Sequence, residues 1–415
     1  MIIKTAFWAM SQTLVKLIAG FIIIKFIAKV GGPDALSNFG LYQNLVTVLL
    51  MVSGGVMFAG VTSKISRAEN NEEFTRFYLG ANLFLNRLLL LSVFAFFSLC
   101  VYIIYVSADR VKGNIITLLI ISLPFLLLQT RFNFYLAILN GLSKVNLLAR
   151  DNIYASFLTI LIACVAFFIT TDWRYFAICM CLGPALRYLY IIGRKKQEYK
   201  LSGNIKPDKN LHYLLRYSLV GLVSSLCLPI AQIIARNFIT NHSGTFESGI
   251  WQGLTRFSEV YLVLVSSVLS VYVLPKISPA KSRKQIKECI LPLIMLLIPL
   301  ICIGVVFIYY LKEYVVVILF SREFLPMQEL FIYQLPGDIF KIFAWVLTFS
   351  LLGLGKTKTL IFLELAYFCS YLALIYFTVP IYGLKGAVVA YSVSYLLYLF
   401  LTIVVFCYWY KKYDK

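Results

Sequence analysis

Gly249–Ser278 reads GIWQGLTRFSEVYLVLVSSVLSVYVLPKIS, an apolar run of membrane-spanning length with Arg256 and Glu259 inside it. About 20 apolar residues suffice to cross a bilayer as a helix. A charge near the bilayer centre costs about 3 kcal/mol or more unless it faces a polar interior. Arg256 and Glu259 are three residues apart, so they share a helix face and offset each other. The stretch therefore predicts a transmembrane helix with one wet face.

The beginning and end of this stretch have earlier counterparts. Gly40-Leu41-Tyr42-Gln43-Asn44-Leu45 matches Gly249-Ile250-Trp251-Gln252-Gly253-Leu254 at an offset of 209, and Lys64-Ile65-Ser66 matches Lys276-Ile277-Ser278 at 212. Leu123-Pro124 and Gly141-Leu142-Ser143-Lys144 match Leu335-Pro336 and Gly353-Leu354-Gly355-Lys356, again at 212. Four matches in chain order at nearly one offset predict a duplicated half.

The remaining sequence has the same character. Of 415 residues 61% are hydrophobic and 13% charged, with a mean hydropathy of +0.85, which places the chain outside soluble globular domains. The net charge of +20 does not signal nucleic acid, because the bases sit in short loops between apolar spans rather than on a basic soluble face. Lys16 and Lys25 interrupt the first apolar run and no cleavage site follows, so the N-terminus reads as a retained helix. The nine cysteines lie in or beside apolar spans and the two histidines are about thirty residues apart, so neither a disulfide framework, a zinc site nor an acid-base pair is indicated.

Apolar spans and loop signals give an all-α polytopic chain of twelve helices, near 5–30, 39–62, 77–106, 114–140, 151–170, 174–193, 211–239, 249–275, 288–311, 326–353, 359–379 and 384–410. Two six-helix lobes, 1–193 and 211–415, flank a polar linker at 194–210. With a cytoplasmic N-terminus, 22 of the 38 Lys and Arg residues fall in inner segments and 7 in outer ones, so the positive-inside rule puts both termini in the cytoplasm.

Nine bases remain within the spans: Lys16, Lys25, Arg87, Arg131, Arg187, Arg216, Arg236, Arg256 and Lys341, against Glu259, Asp338 and Glu364. Arg187, Arg216 and Arg236 lie near span ends, where long basic side chains snorkel. Arg87 is explained by pairing with a neighbouring helix. Lys16, Arg131 and Lys341 sit near the middle of their spans and predict a cationic cavity. Lys25, nine residues beyond Lys16, is about half a turn round from it and joins that cavity only if the helix bends or the cavity wraps it. The candidate substrate-binding set is Lys16, Lys25, Arg131, Arg236, Arg256 and Lys341. Glu259, Asp338 and Glu364 are candidates for ion coupling or charge balance.

Catalytic and nucleotide motifs fail. Gly353-Leu354-Gly355-Lys356-Thr357 resembles a phosphate-binding loop, but Ser350 stands where the pattern needs glycine and a membrane helix precedes it. Transport without an ATPase motif points to an ion gradient, of protons or sodium, or to removal of product.

Thr13-Leu14-Val15-Lys16, Gly249-Ile250-Trp251-Gln252-Gly253, Val271-Tyr272-Val273-Leu274-Pro275 and Tyr333-Gln334-Leu335-Pro336-Gly337-Asp338-Ile339-Phe340-Lys341 resemble segments of the Wzx-type polysaccharide flippases, most closely those for lipid III of enterobacterial common antigen, within the MOP exporter superfamily. The resemblance runs nearly end to end. It implies two six-helix lobes around a central cavity, in a bacterial inner-membrane protein that moves an undecaprenyl-diphosphate-linked oligosaccharide between leaflets. It further implies action as a monomer among membrane lipids, without cofactor or metal, with the polymerase and chain-length proteins of the same pathway as candidate partners. Arg256 stands where the lipid III flippases carry a small polar residue, which points to another glycan such as an O-antigen unit. The residues themselves agree, because a diphosphate needs Lys and Arg in a low-dielectric site. The alternatives are a multidrug or cation antiporter of the same superfamily, which should centre on carboxylates, and a membrane enzyme acting on lipid-linked glycans.

Overall fold

The computed structural model describes residues 2–67, 70–106, 110–195, 212–279 and 282–412, and these are all-α. The helices are α1 (Ile2–Val52), α2 (Phe58–Ile65), α3 (Asn71–Val106), α4 (Arg110–Gly141), α5 (Val145–Ile169), α6 (Trp173–Lys195), α7 (His212–Ser243), α8 (Thr245–Ile277), α9 (Arg283–Leu319), α10 (Phe331–Gly353) and α11 (Thr357–Lys412). Short 3-10 segments, Gly55–Met57 and Arg322–Glu329, precede α2 and α10. The expected linker at 194–210 falls almost wholly outside the described residues.

α1 and α11 are each two helices run together. Gly32 has φ 61° and Gly383 φ 56°, a left-handed backbone that glycine adopts without steric cost. Broken there, and with the bent pair of α1 and α2 taken as one, the elements give the twelve helical segments read from the sequence. The second is interrupted at Gly54, which has φ 131°, and Gly55, and its two parts meet at 55°. By length and composition, seven helices among the described residues suit a membrane crossing, or eight with the bent pair. Their outer faces carry apolar side chains such as Phe94, Phe168, Ile169 and Tyr310, each at least three-quarters exposed, as lipid contact requires.

Helix ends recur at the offset of the sequence matches. α2 and α8 end at Ile65 and Ile277, α3 and α9 begin at Asn71 and Arg283, and α5 and α11 begin at Val145 and Thr357, each pair 212 apart. The left-handed residues Gly32 and Gly244, and Ser143 and Gly355, keep the same spacing.

The chain divides into two compact units, 1–30 with 38–229, and 31–37 with 230–415. The division thus lies inside α7 rather than at the linker, and a seven-residue piece of the N-terminal half is built into the second unit. In the first unit Met57, Val61, Ile65, Phe77, Ala81, Leu85 and Phe134 form a core between α2, α3 and α4. In the second, Leu269, Val273, Ile277, Cys289, Leu293, Leu297 and Val346 form one between α8, α9 and α10, and each stands 212 residues after its counterpart. Sizes compensate within the set: Phe77 and Ala81 are matched by Cys289 and Leu293. This trading of volume keeps a core filled while its sequence drifts.

Candidate functional site

The second unit holds a buried polar cluster. Gln334, Asp338, Lys341 and Trp345 follow one another at four, three and four residues, which lines them along one face of α10. Tyr391, Tyr395 and Tyr398 do the same on the second part of α11. Pro336 breaks the hydrogen-bond ladder of α10 there. Ser392 repairs it: its Oγ accepts the Gly337 N–H at 3.1 Å and donates to the Tyr333 carbonyl, the pair that an unbroken helix would join directly. A Cβ on Gly337 would come within 2.7 Å of the Tyr391 ring, so the glycine is what allows α11 so close.

Asp338 is 2% exposed and receives three hydroxyl donors. Ser258 donates to Oδ2 at 2.8 Å, Tyr261 donates to the same oxygen, and Tyr391 donates to Oδ1 at 2.7 Å. The Gln334 amide donates to Ser258 at 3.2 Å. Lys341 is 9% exposed and lies over the rings of Tyr395, Trp345 and Tyr391 at 4.8, 5.0 and 5.7 Å. Tyr398 donates to Glu364 at 3.2 Å, and Arg256 pairs with Glu259 at 2.5 Å. Two of the sequence-derived candidates, Lys341 and Asp338, therefore share Tyr391, and Glu364 joins them through Tyr398, whose ring meets that of Tyr395 edge-on at 6.0 Å. Asp338 is not simply neutralised by Lys341 along the helix, since both its oxygens are taken up by hydroxyls.

Arg236 does not snorkel. It is 2% exposed, donates from Nη1 to the Ser37 carbonyl at 2.9 Å and from Nη2 to the Gln252 amide oxygen, and lies 5.2 Å above the Trp251 ring.

The first unit holds a separate set. Arg131 donates to Asn86 Oδ1 at 2.7 Å. Arg187, expected at the interface, instead pairs with Asp151 at 2.5 Å, their side chains 13% and 3% exposed. Tyr135 donates to the other oxygen of Asp151 at 3.1 Å, and the rings of Tyr154 and Tyr190 flank the guanidinium at 4.7 and 4.9 Å. Lys16 is exposed and Lys25 half-buried on α1, whose only break, at Gly32, lies beyond both, so no bend brings them to one face.

Asp151 was missed because it falls on the first residue of an expected span. The tyrosines were missed because aromatic residues in membrane helices are read by default as lipid-facing, yet Tyr367, Tyr371, Tyr395 and Tyr398 are buried in the second unit. Their spacing on α11 was the signal available. No group of His, Cys, Asp and Glu among the described residues could hold a metal ion.

No family model matches the chain. The lipid III flippase of Escherichia coli (strain K12) is 26% identical over 99% of each chain. A putative O-antigen transporter of Shigella flexneri is 25% identical over 95% of each. Among solved structures, an inward-facing multidrug resistance MATE family transporter of the MOP superfamily superposes with a TM-score of 0.81 at 13% identity over 99% of each chain. The chain is thus a full-length homologue of lipid III flippases and of an O-antigen transporter, built on the fold of the MOP-superfamily transporters.

Proposed function

We propose that the protein is a flippase that carries an undecaprenyl-diphosphate-linked oligosaccharide from the cytoplasmic to the periplasmic leaflet of a bacterial inner membrane. The observation that carries the reading is the similarity to lipid III flippases over 99% of the chain. The excess of bases in the spans supports it, because a diphosphate in a low-dielectric site needs fixed positive charge. Arg131 and Lys341 are the bases we assign first to the diphosphate, with Lys16, Lys25 and Arg256 along its path. Both termini lie in the cytoplasm on this reading, as the distribution of loop bases requires.

Asp338 and Glu364 are the residues for coupling to a proton or sodium gradient. Each is a membrane carboxylate held by tyrosine hydroxyls, which stabilise a charge and release it to a cation without moving a helix. A cation antiporter is the second reading, and the hydroxyl-caged Asp338 is the observation that favours it.

Complementation separates the two. In a strain lacking its own flippase, Arg131→Ala and Lys341→Ala are expected to abolish surface glycan while the protein stays in the membrane. Full complementation by both variants would remove the cationic site, and drug resistance conferred by the wild-type chain would favour the antiporter.

A further inference from the structure

We infer that Arg236 is the fastener of a strap made by residues 31–37, a positioning residue for transport rather than a ligand of the substrate. The chain enters the second compact unit for these seven residues only and leaves it again at Asn38. Four contacts hold them there. Ser37 Oγ donates to Ser248 Oγ at 2.9 Å, and the Ser37 carbonyl accepts from Arg236 at 2.9 Å. Pro33 presses its carbonyl onto Gly249, where a Cβ would stand 1.9 Å from that oxygen. Gly32, turned at φ 61°, brings its backbone against the Glu323 carboxylate.

The opening residues of the Gly249–Ser278 stretch acquire a purpose here. Gly249 is cut away to admit Pro33, Trp251 underlies the guanidinium and Gln252 receives its second Nη. One planar side chain on α7 thus ties the strap to α8 through two separate donors, a fork that a lysine cannot reproduce. Among the described residues its partners are a carbonyl, an amide oxygen and a ring, all neutral, and its Nε has none. A buried guanidinium satisfied only in part loses little on being wetted, since water solvates it once the strap leaves. A contact so balanced suits an element that opens and closes.

The consequence for transport rests on the proposed flippase reading; the contact itself does not. It is tested by the reaction of N-ethylmaleimide with a reporter thiol introduced by Ser37→Cys, in membranes of a chain whose nine native cysteines are replaced. Ser37 is 3% exposed, so modification reports opening of the strap. Arg236→Gln and Arg236→Lys are both expected to speed labelling at least tenfold, about 1.4 kcal/mol, and Gln252→Glu, which turns an amide contact into an ion pair, to slow it. Equal amounts of each protein in the membrane establish folding. Labelling of Arg236→Lys at the wild-type rate would make charge rather than the fork the operative property, and an unchanged rate in Gln252→Glu would remove the clamp; either result overturns the inference, while failure of the wild-type chain to complement, with all rates as expected, would count against the flippase reading alone.

Discussion

Lys341 is enclosed by three aromatic rings, which offset the loss of water around its buried ammonium. A desolvated cation–π contact is worth about 2 kcal/mol or more, so Lys341→Ala should lower export at least tenfold. Lys341→Arg keeps the charge but not the compact ammonium, and should fall between; surface glycan measured against protein in the membrane makes the comparison. Arg187 behaves differently. Its partner Asp151 is 3% exposed, and removing one member of a buried pair costs about 3–5 kcal/mol. Arg187→Ala should therefore lower the thermal unfolding temperature of the purified protein, and Arg187→Gln combined with Asp151→Asn should restore most of the loss. Equal loss in the single and double variants would show that the pair is not what holds α5 to α6.

At the scale of elements, the kink of α10 is where a break in regularity does the positioning. Ser392→Ala leaves the Gly337 N–H and the Tyr333 carbonyl without partners in a membrane interior, a cost of about 1–3 kcal/mol. Gly337→Ala should be worse, since the new methyl meets the Tyr391 ring at 2.7 Å and displaces a donor of Asp338. Thermal unfolding ranks the two, and the account expects wild type, then Ser392→Ala, then Gly337→Ala. The helices themselves were legible in the sequence, because twenty apolar residues leave the backbone no other way to satisfy its hydrogen bonds in lipid. Pro124 and Pro336, and the GLSK and GLGK exits, were legible as echoes for the same reason: they mark helix breaks and ends. The breaks at Gly32 and Gly383 were bracketed but hidden as left-handed turns. What could not be read was which bases are spent on structure. Arg236 and Arg187 look alike by position, and only contacts across 199 and 36 residues reveal that one holds a carbonyl and the other a carboxylate.

Across the whole molecule, helix ends and core positions recur at an offset of 212, as a duplicated half requires, and the proposed flippase reading adds that the strap of residues 31–37 opens during the cycle. The strap makes this testable by covalent means. Ser37→Cys with Ser248→Cys, replacing two hydroxyls 2.9 Å apart, should form a disulfide that stops export and is relieved by reductant. A disulfide that forms fully and leaves export unimpaired would mean that the strap never opens. Movement of a lipid-linked glycan between leaflets is measured with purified protein in vesicles carrying a fluorescent undecaprenyl-diphosphate sugar quenched from outside. Wild-type protein is expected to expose the inner-leaflet pool to the quencher, and Lys341→Ala is not. Quenching no greater than in protein-free vesicles, or equal quenching with Lys341→Ala, would contradict it.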